Sequence, residues 1–141
     1  MRQSGPTLAI SAICLFLGLS PALAANLPAG TFIGCAESDG VMVPVATELS
    51  GGPEGSYLFV EEDSSRVPGS LEKGREVGPM VEYVWRDKYG SGKLTILPTP
   101  EGDAFTGVWS DPEGQGSHIW WGKRGDPSRI NMMDCGERKS S

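Results

Sequence analysis

One polar and aromatic stretch of the chain carries residue types that could hold a ligand. It reads Trp85-Arg86-Asp87-Lys88-Tyr89 and is followed by Gly-Ser-Gly. A guanidinium, a carboxylate and a phenol this close together could line the mouth of a barrel, where such folds usually bind ligands. The alternative is a turn that Asp87 caps through its side chain while Tyr89 covers the barrel end. The spacing favours the turn.

A second group of candidate residues surrounds the pair Trp120-Trp121. Adjacent residues on a strand point to opposite faces, so one ring at most can enter a core. We expect the apolar residues of the C-terminal segment to cover the other ring. The alternative is an exposed aromatic anchor for a partner protein or a glycan, because a large rigid ring gains contact area at little entropic cost. His118 lies beside the pair and is interpreted as a rim residue rather than a catalyst.

Catalytic machinery is sparse in this composition. With one histidine, and with the two cysteines of the mature chain expected to form a disulfide, Ser-His and Cys-His nucleophilic machinery is nearly excluded, and a zinc site rich in Cys or His cannot be assembled. The acidic run Glu61-Glu62-Asp63 lacks the ligand spacing of a calcium loop and is interpreted as a solvated hairpin end. Paired carboxylates in a cleft are the remaining catalytic possibility. We therefore predict no cofactor and no metal, and we favour a protein without catalysis.

The first 24 residues have the pattern of a signal peptide. Arg2 precedes an apolar run from Leu8 to Leu19, and an A-x-A site ends at Ala24. The run is shorter than the roughly 20 residues that cross a membrane, so we predict no transmembrane segment in the mature chain. We expect cleavage after Ala24 and a periplasmic or secreted location. Residues 25–136 would then form one β-barrel domain, and residues 137–141 a disordered tail.

Cleavage would also change the number of cysteines. It removes Cys14 and leaves Cys35 and Cys135. In an oxidising compartment, two cysteines outside a C-x-x-C arrangement favour a structural disulfide over a redox pair. The bridge would close a loop of roughly 100 residues and stabilise the fold by about 4–5 kcal/mol in the chain-entropy model.

The mature chain would be acidic, with 11 Lys and Arg residues against 18 Asp and Glu residues. Such a surface repels phosphate backbones, which disfavours nucleic acid as a partner. It suits a cationic protein partner or, more simply, solubility. We expect a monomer.

The organisation of the chain predicts strands and little helix. Glycine and proline recur at short intervals, and no segment sustains a helical period. Eight candidate strands lie between loops rich in Gly, Pro, Asp and Ser: Thr31–Ala36, Val41–Leu49, Ser56–Glu62, Arg66–Leu71, Met80–Arg86, Lys93–Leu97, Ala104–Ser110 and Ser117–Lys123. This spacing predicts an all-β fold, a single small antiparallel up-and-down β-barrel, with a β-sandwich as the second choice. A Cys35–Cys135 bridge favours the barrel because closure makes the first and last strands neighbours.

Alternation along the strands identifies the interior. Val81, Tyr83 and Trp85 share one face of their strand, and Phe105 and Trp109 share one face of another. An eight-stranded barrel is either filled by its side chains or holds one small ligand. The inward-pointing aromatic residues favour the filled interior. In a hollow barrel, Tyr83, Trp85 and Trp109 would line the pocket.

The strand spacing and the sequence Gly107-Val108-Trp109 resemble those of calycin-type barrels, the lipocalin and avidin group. The resemblance implies a barrel over the mature chain. That group carries its G-x-W at the first strand, whereas here it lies near the seventh, so no ligand-binding residue is carried over. The chain is also similar in size, export signal and cysteine use to small acidic periplasmic inhibitors of cationic hydrolases such as lysozyme.

These observations together predict an exported, non-catalytic β-barrel binding module. A carrier would hold a small apolar ligand in an internal or mouth pocket. A module that binds a partner protein would instead expose Trp120 or Trp121, and an inhibitor of a cationic extracellular hydrolase would do so beside acidic loops. A small carboxylate-dependent hydrolase is the alternative from another class.

Overall fold

The computed structural model describes residues 27–136 of the 141-residue chain. The predicted signal peptide (residues 1–24) and C-terminal tail (residues 137–141) lie outside the described residues. The strands are β1 (Ala29–Ser38), β2 (Val41–Ser50), β3 (Gly55–Val60), β4 (Arg66–Val77), β5 (Met80–Asp87), β6 (Gly90–Pro98), β7 (Ala104–Trp109) and β8 (His118–Arg124). Each strand pairs antiparallel with the next, and β8 pairs with β1. The predicted up-and-down β-barrel is confirmed.

Tight turns set the register of the strands. Asp39 and Gly40 connect β1 to β2 with φ values of 56° and 85°. This is the type I′ geometry, whose twist matches that of the flanking strands. We predicted a loop over Asp87–Gly92, but pairing continues through both of its ends. The connection between β5 and β6 shrinks to the two residues Lys88 and Tyr89.

Strand β4 is longer than its sequence predicts. The sequence predicts a loop over residues 72–78, yet β4 continues to Val77. The register shifts between Glu72 and Arg75, where Lys73 adopts a φ of 55°. A β-bulge inserts residues that break the period of two, so the continuation cannot be read from alternation.

Alternate side chains of the strands form one core. On β5, Val81, Tyr83 and Trp85 all point inward and are at most 5% exposed, as their alternation predicts. Phe105 on β7 is also buried, and Trp109 packs against the same core while remaining partly exposed. The sequence therefore assigns the inner face of β5 and β7 correctly.

Large rings fit inside the barrel because glycines stand opposite them on the next strand. The directly paired residues are Tyr57 with Gly69, Trp85 with Gly92, and Phe105 with Gly122. A Cβ on Gly69 would lie 2.1 Å from the Tyr57 ring, and a Cβ on Gly92 would lie 2.7 Å from the Trp85 indole nitrogen. Any larger residue at these positions would displace the ring.

The two ends of the barrel differ. We call the end with the β1–β2, β3–β4, β5–β6 and β7–β8 connections the mouth, and the opposite end the closed end. The closed end is filled by buried side chains, among them Phe32, Leu49, Leu71, Tyr83, Ile96 and Phe105. Arg124 lies across it, donating to the backbone oxygens of Ala29 and Gly102. Its guanidinium carbon is 5.1 Å from the centre of the Phe32 ring, a cation–π contact.

The segment after β8 packs on the outer wall. A 3-10 helix (Pro127–Met132) contacts β1 and β2 and buries Ile130, whereas the lack of a helical period in the sequence predicts a coil here. The sulfur atoms of Cys35 and Cys135 are 2.06 Å apart, the separation of a disulfide, which supports the predicted pairing. Among residues 27–136, no helix has the length and apolar character needed to span a membrane.

Candidate functional site

A cavity of about 410 Å³ opens at the mouth of the barrel. Its volume is within the range of small-molecule sites, roughly 300–1,000 Å³. Six aromatic residues contribute to its lining: Tyr57, Phe59, Trp85, Tyr89, Trp109 and Trp120. We call this space the mouth cavity. The prediction of a filled interior is therefore wrong for this half of the barrel and holds at the closed end.

Hydrogen bonds and ring contacts fix the tryptophans of the mouth cavity. Each of their indole N–H groups donates to a protein oxygen: Trp85 to the carbonyl of Ser110 at 3.0 Å, Trp109 to the carbonyl of Glu37 at 3.1 Å, and Trp120 to Oγ1 of Thr47 at 3.1 Å. Trp85 and Trp109 also meet edge to face, with ring centres 5.5 Å apart. Since these N–H groups are engaged, the indoles offer a ligand ring surface rather than donors.

The charged residues of the lining that the structure describes are acidic: Glu37, Asp39, Glu61 and Asp87. Of the described residues that line the mouth cavity, none is Lys, Arg or His. Asp87 accepts hydrogen bonds from the Tyr57 hydroxyl at 2.6 Å and from the Tyr89 backbone N–H at 2.8 Å. The Tyr89 hydroxyl in turn donates to Glu61. The two phenols thus hold two carboxylates at the rim.

These contacts move the pKa values at the rim further from neutral pH. Burial, together with the hydrogen bond to Asp87, raises the pKa of Tyr57. The hydrogen bond to Glu61 raises the pKa of Tyr89 to about 12 and lowers the pKa of Glu61. Near neutral pH both phenols are therefore protonated and their protons are already donated. Glu61 is ionised and acts as an acceptor.

Five of the residues predicted from the sequence as binding candidates line the mouth cavity: Trp85, Asp87, Tyr89, Trp109 and Trp120. Their side chains reach it because the inward face of β5, β7 and β8 ends at the mouth, where the β5–β6 turn adds Tyr89. Asp87 also caps that turn through its bond to the Tyr89 N–H. The two interpretations of this loop, a turn and a mouth lining, are thus both features of the structure.

Tyr83, Arg86 and His118 do not line the mouth cavity. Tyr83 lies in the closed end, where burial raises its pKa to about 12. Arg86 points outward because it alternates with Trp85, and its Nε lies 3.1 Å from Glu72. His118 stacks on Trp109 with ring centres 4.3 Å apart.

The two adjacent tryptophans of β8 separate as the strand geometry requires. Trp120 points inward and is buried, whereas Trp121 lies on the outer face and is partly exposed. The C-terminal segment, whose apolar residues we expect from the sequence to cover the outer ring, instead forms a 3-10 helix that packs on β1 and β2. Beside Trp121 is a shallow depression that includes Pro98 and Lys123. None of the described residues lining this depression is acidic.

Several lining residues were not identified from the sequence. Tyr57 and Phe59 alternate with Leu58 and Val60, so apolar side chains occupy both faces of β3 and hide which face is inward. The distinguishing signal is residue type, since rings at positions i and i+2 mark the face that meets a wide interior. Glu61 follows on the same face but could be interpreted from the sequence as part of a solvated turn.

Metal ligation and relationships to known proteins add no further assignment. Among residues 27–136, no three His, Cys, Asp or Glu side chains converge to hold a metal ion. Comparisons with protein-family models, curated proteins and solved structures gave no match. Fold and site together define a small closed eight-stranded barrel with an aromatic cavity at one end.

Proposed function

We propose that this protein is a non-catalytic binding module that takes a small, largely apolar ligand into the mouth cavity. The observation that supports this most directly is the combination of open volume and rigid aromatic lining. A site of this type gains affinity by burying apolar ligand surface, while its few polar groups set orientation.

The polar groups at the rim support binding more than hydrolysis. A glycosidase-type pair needs one carboxyl group with a raised pKa to act as the acid. The hydrogen bond from Tyr89 moves the pKa of Glu61 in the opposite direction. His118 packs between Trp109 and Glu37, with Nδ1 3.6 Å from Oε2 of Glu37, and it lies outside the cavity lining.

The inhibitor alternative receives less support than the carrier. It requires an exposed tryptophan beside acidic loops. Trp121 is the partly exposed member of the pair, yet Lys123 lines the depression next to it. The acidic groups lie at the mouth instead, beside Tyr89 and Trp109.

Export completes the proposal. We infer a periplasmic or secreted protein from the signal-peptide pattern that ends at Ala24 and from the pairing of Cys35 with Cys135. Intact-mass measurement of the protein recovered from the cell envelope or medium tests this. We expect the mass of a chain that starts at Ala25 and that is two hydrogens lighter than the same chain after reduction. The mass of an unprocessed chain, or of a chain with both thiols free, would contradict this inference.

Binding is tested by titrating the protein with the neutral fluorophore N-phenyl-1-naphthylamine, whose emission rises in apolar surroundings. Ala36 lines the mouth cavity, so Ala36→Phe would place a ring inside the cavity. Val108→Phe adds the same ring on the exposed outer face of β7. We expect the first variant to weaken binding at least about tenfold, or about 1.4 kcal/mol, and the second to leave it unchanged.

The smaller variant Ala36→Leu provides the same comparison if Ala36→Phe does not fold, as judged by circular dichroism. Wild-type protein that fails to bind the fluorophore contradicts the proposal. Equal binding by the wild type and a folded cavity-filled variant does so as well.

A further inference from the structure

We propose that the mouth cavity selects an organic cation, a protonated amine carried on an apolar body. The inference rests on the proposed binding function, since it assigns a ligand class to the same cavity. The apolar body would lie on the aromatic lining, and the ammonium group would face the carboxylates at the rim.

The hydrogen-bonding inventory of the cavity is one-sided. The three indole N–H groups donate within the protein, and the hydroxyls of Tyr57 and Tyr89 donate to carboxylates. Among the described lining residues, the Ser38 hydroxyl is the side-chain donor without a partner. Acceptors remain in excess, because each carboxylate oxygen can accept more than one bond. A ligand that supplies donors is complementary to this site.

Charge points in the same direction. Four carboxylates line the mouth cavity, and the described lining holds no basic side chain to neutralise them. Ionised acids at the mouth of a low-dielectric cavity attract a cation and repel an anion. An anionic apolar ligand, such as a fatty acid, would therefore meet repulsion where it enters.

The aromatic rings extend the preference into the cavity. Indole and phenol faces attract ammonium groups through their quadrupoles, most strongly where water is excluded. The protein uses this interaction at both ends of the barrel. At the closed end Arg124 stands over Phe32, and at the mouth the ammonium of Lys88 lies 5.1 Å from the Tyr89 ring centre.

The ammonium group of Lys88 occupies one face of the Tyr89 ring, although Lys88 does not line the cavity. We therefore expect it to compete with a ligand cation at the rim. Its removal should favour a cationic ligand. A metal ion fits the site less well than an amine, since no three of the potential ligands described in residues 27–136 converge.

The experiment compares three ligands that share a naphthalene ring and differ in their polar group: 2-naphthylmethylammonium, 2-naphthylmethanol and 2-naphthoate. Isothermal titration calorimetry at neutral pH and low salt is expected to show the ammonium compound binding at least about tenfold more tightly than the alcohol, with the carboxylate weakest. Added salt should narrow the difference, since screening weakens charge attraction.

Variants locate the preference. Glu61→Gln should lower the affinity for the ammonium compound several-fold more than the affinity for the alcohol. Lys88→Gln should raise the affinity for the ammonium compound. Glu101→Gln removes an equal charge from the exposed β6–β7 loop at the closed end and should change neither affinity.

The outcomes separate this inference from the binding function. If the alcohol binds as tightly as the ammonium compound, selection of a cation is wrong and the apolar binding function stands. If Glu101→Gln lowers ammonium binding as much as Glu61→Gln, the preference comes from overall charge and the assignment to the rim is wrong. If none of the three compounds binds, both proposals fail.

Discussion

The closed end and the mouth of this barrel use the same kinds of residue to opposite effect. Both ends carry inward-facing rings on alternate strand positions, and both place charge against aromatic faces. At the closed end the protein supplies its own cation, Arg124 over Phe32, and side chains fill the space. At the mouth the rings surround open volume, and the charges lining it are carboxylates. The closed end is complete by itself, whereas the mouth is complementary to another molecule.

The largest effect on stability is expected when one phenylalanine ring is removed from each end in turn. Phe32→Ala should lower the free energy of unfolding by about 3–5 kcal/mol, because it leaves a hole in a packed core. Phe59 faces the mouth cavity, so Phe59→Ala should cost roughly half as much, on the order of 2 kcal/mol. Urea denaturation of both variants measures the two costs. Equal costs would show that the mouth is packed as tightly as the closed end.

A smaller effect, of opposite sign at the two ends, is expected for the tyrosine hydroxyls. The Tyr57 hydroxyl is bonded to Asp87, so Tyr57→Phe should destabilise the protein by about 1–2 kcal/mol. The Tyr83 hydroxyl is buried without a hydrogen-bond partner among the described residues. Tyr83→Phe should therefore leave stability unchanged or raise it by up to about 1 kcal/mol. Thermal melts of the pair check the signs, and a clear loss in Tyr83→Phe would contradict this description of the closed end.

The smallest effect concerns the protonation of Glu61. Its pKa in the folded protein is lowered from 4.5, first by the hydrogen bond from Tyr89 and then by that from Ser65. A lowered folded-state pKa means that the stabilisation is complete above the unfolded value and is lost as the pH falls through the folded value. In Tyr89→Phe the pKa of Glu61 should rise toward 4.5, as measured by NMR titration of its carboxyl carbon. Tyr83→Phe, altered at the other end, is the control and should leave that pKa unchanged.

The sequence predicts the closed end better than the mouth, and the reason is physical. Packing follows from the identity and alternation of apolar residues, so the sequence alone assigns Val81, Tyr83 and Phe105 to the interior. A cavity forms where the side chains that face a space are too small to fill it. Ala36 is too small to fill its part of the mouth, and Gly69 and Gly92 let the rings of Tyr57 and Trp85 lie against neighbouring strands. Such effects depend on which residues face each other across paired strands, and alternation within one strand does not reveal that.

Local deviations account for the other differences. The bulge at Lys73 breaks the alternation that would reveal the end of β4 in the sequence, because two residues of β4 there stand opposite one residue of β5. The side of the wall that the C-terminal segment covers depends on the path of the chain after Arg124, which strand periodicity does not encode. Ile130 packs against the wall formed by β1 and β2, so Trp121 on β8 stays partly exposed.

The closure of the ring by β1 and β8 has a consequence for the order of folding events. Seven of the eight strand pairings join consecutive strands, whereas the closing pair joins Phe32 to Arg124. Contacts so distant in the chain carry the largest loop-closure entropy, so ring closure should be the slow step of folding while Cys35 and Cys135 are reduced. The mouth cavity is lined by residues of β1, β2, β3, β5, β7 and β8. It therefore forms only after the ring has closed. A ligand bound there would slow the opening of the ring. The amount of bound ligand would therefore report the fraction of molecules that have completed folding.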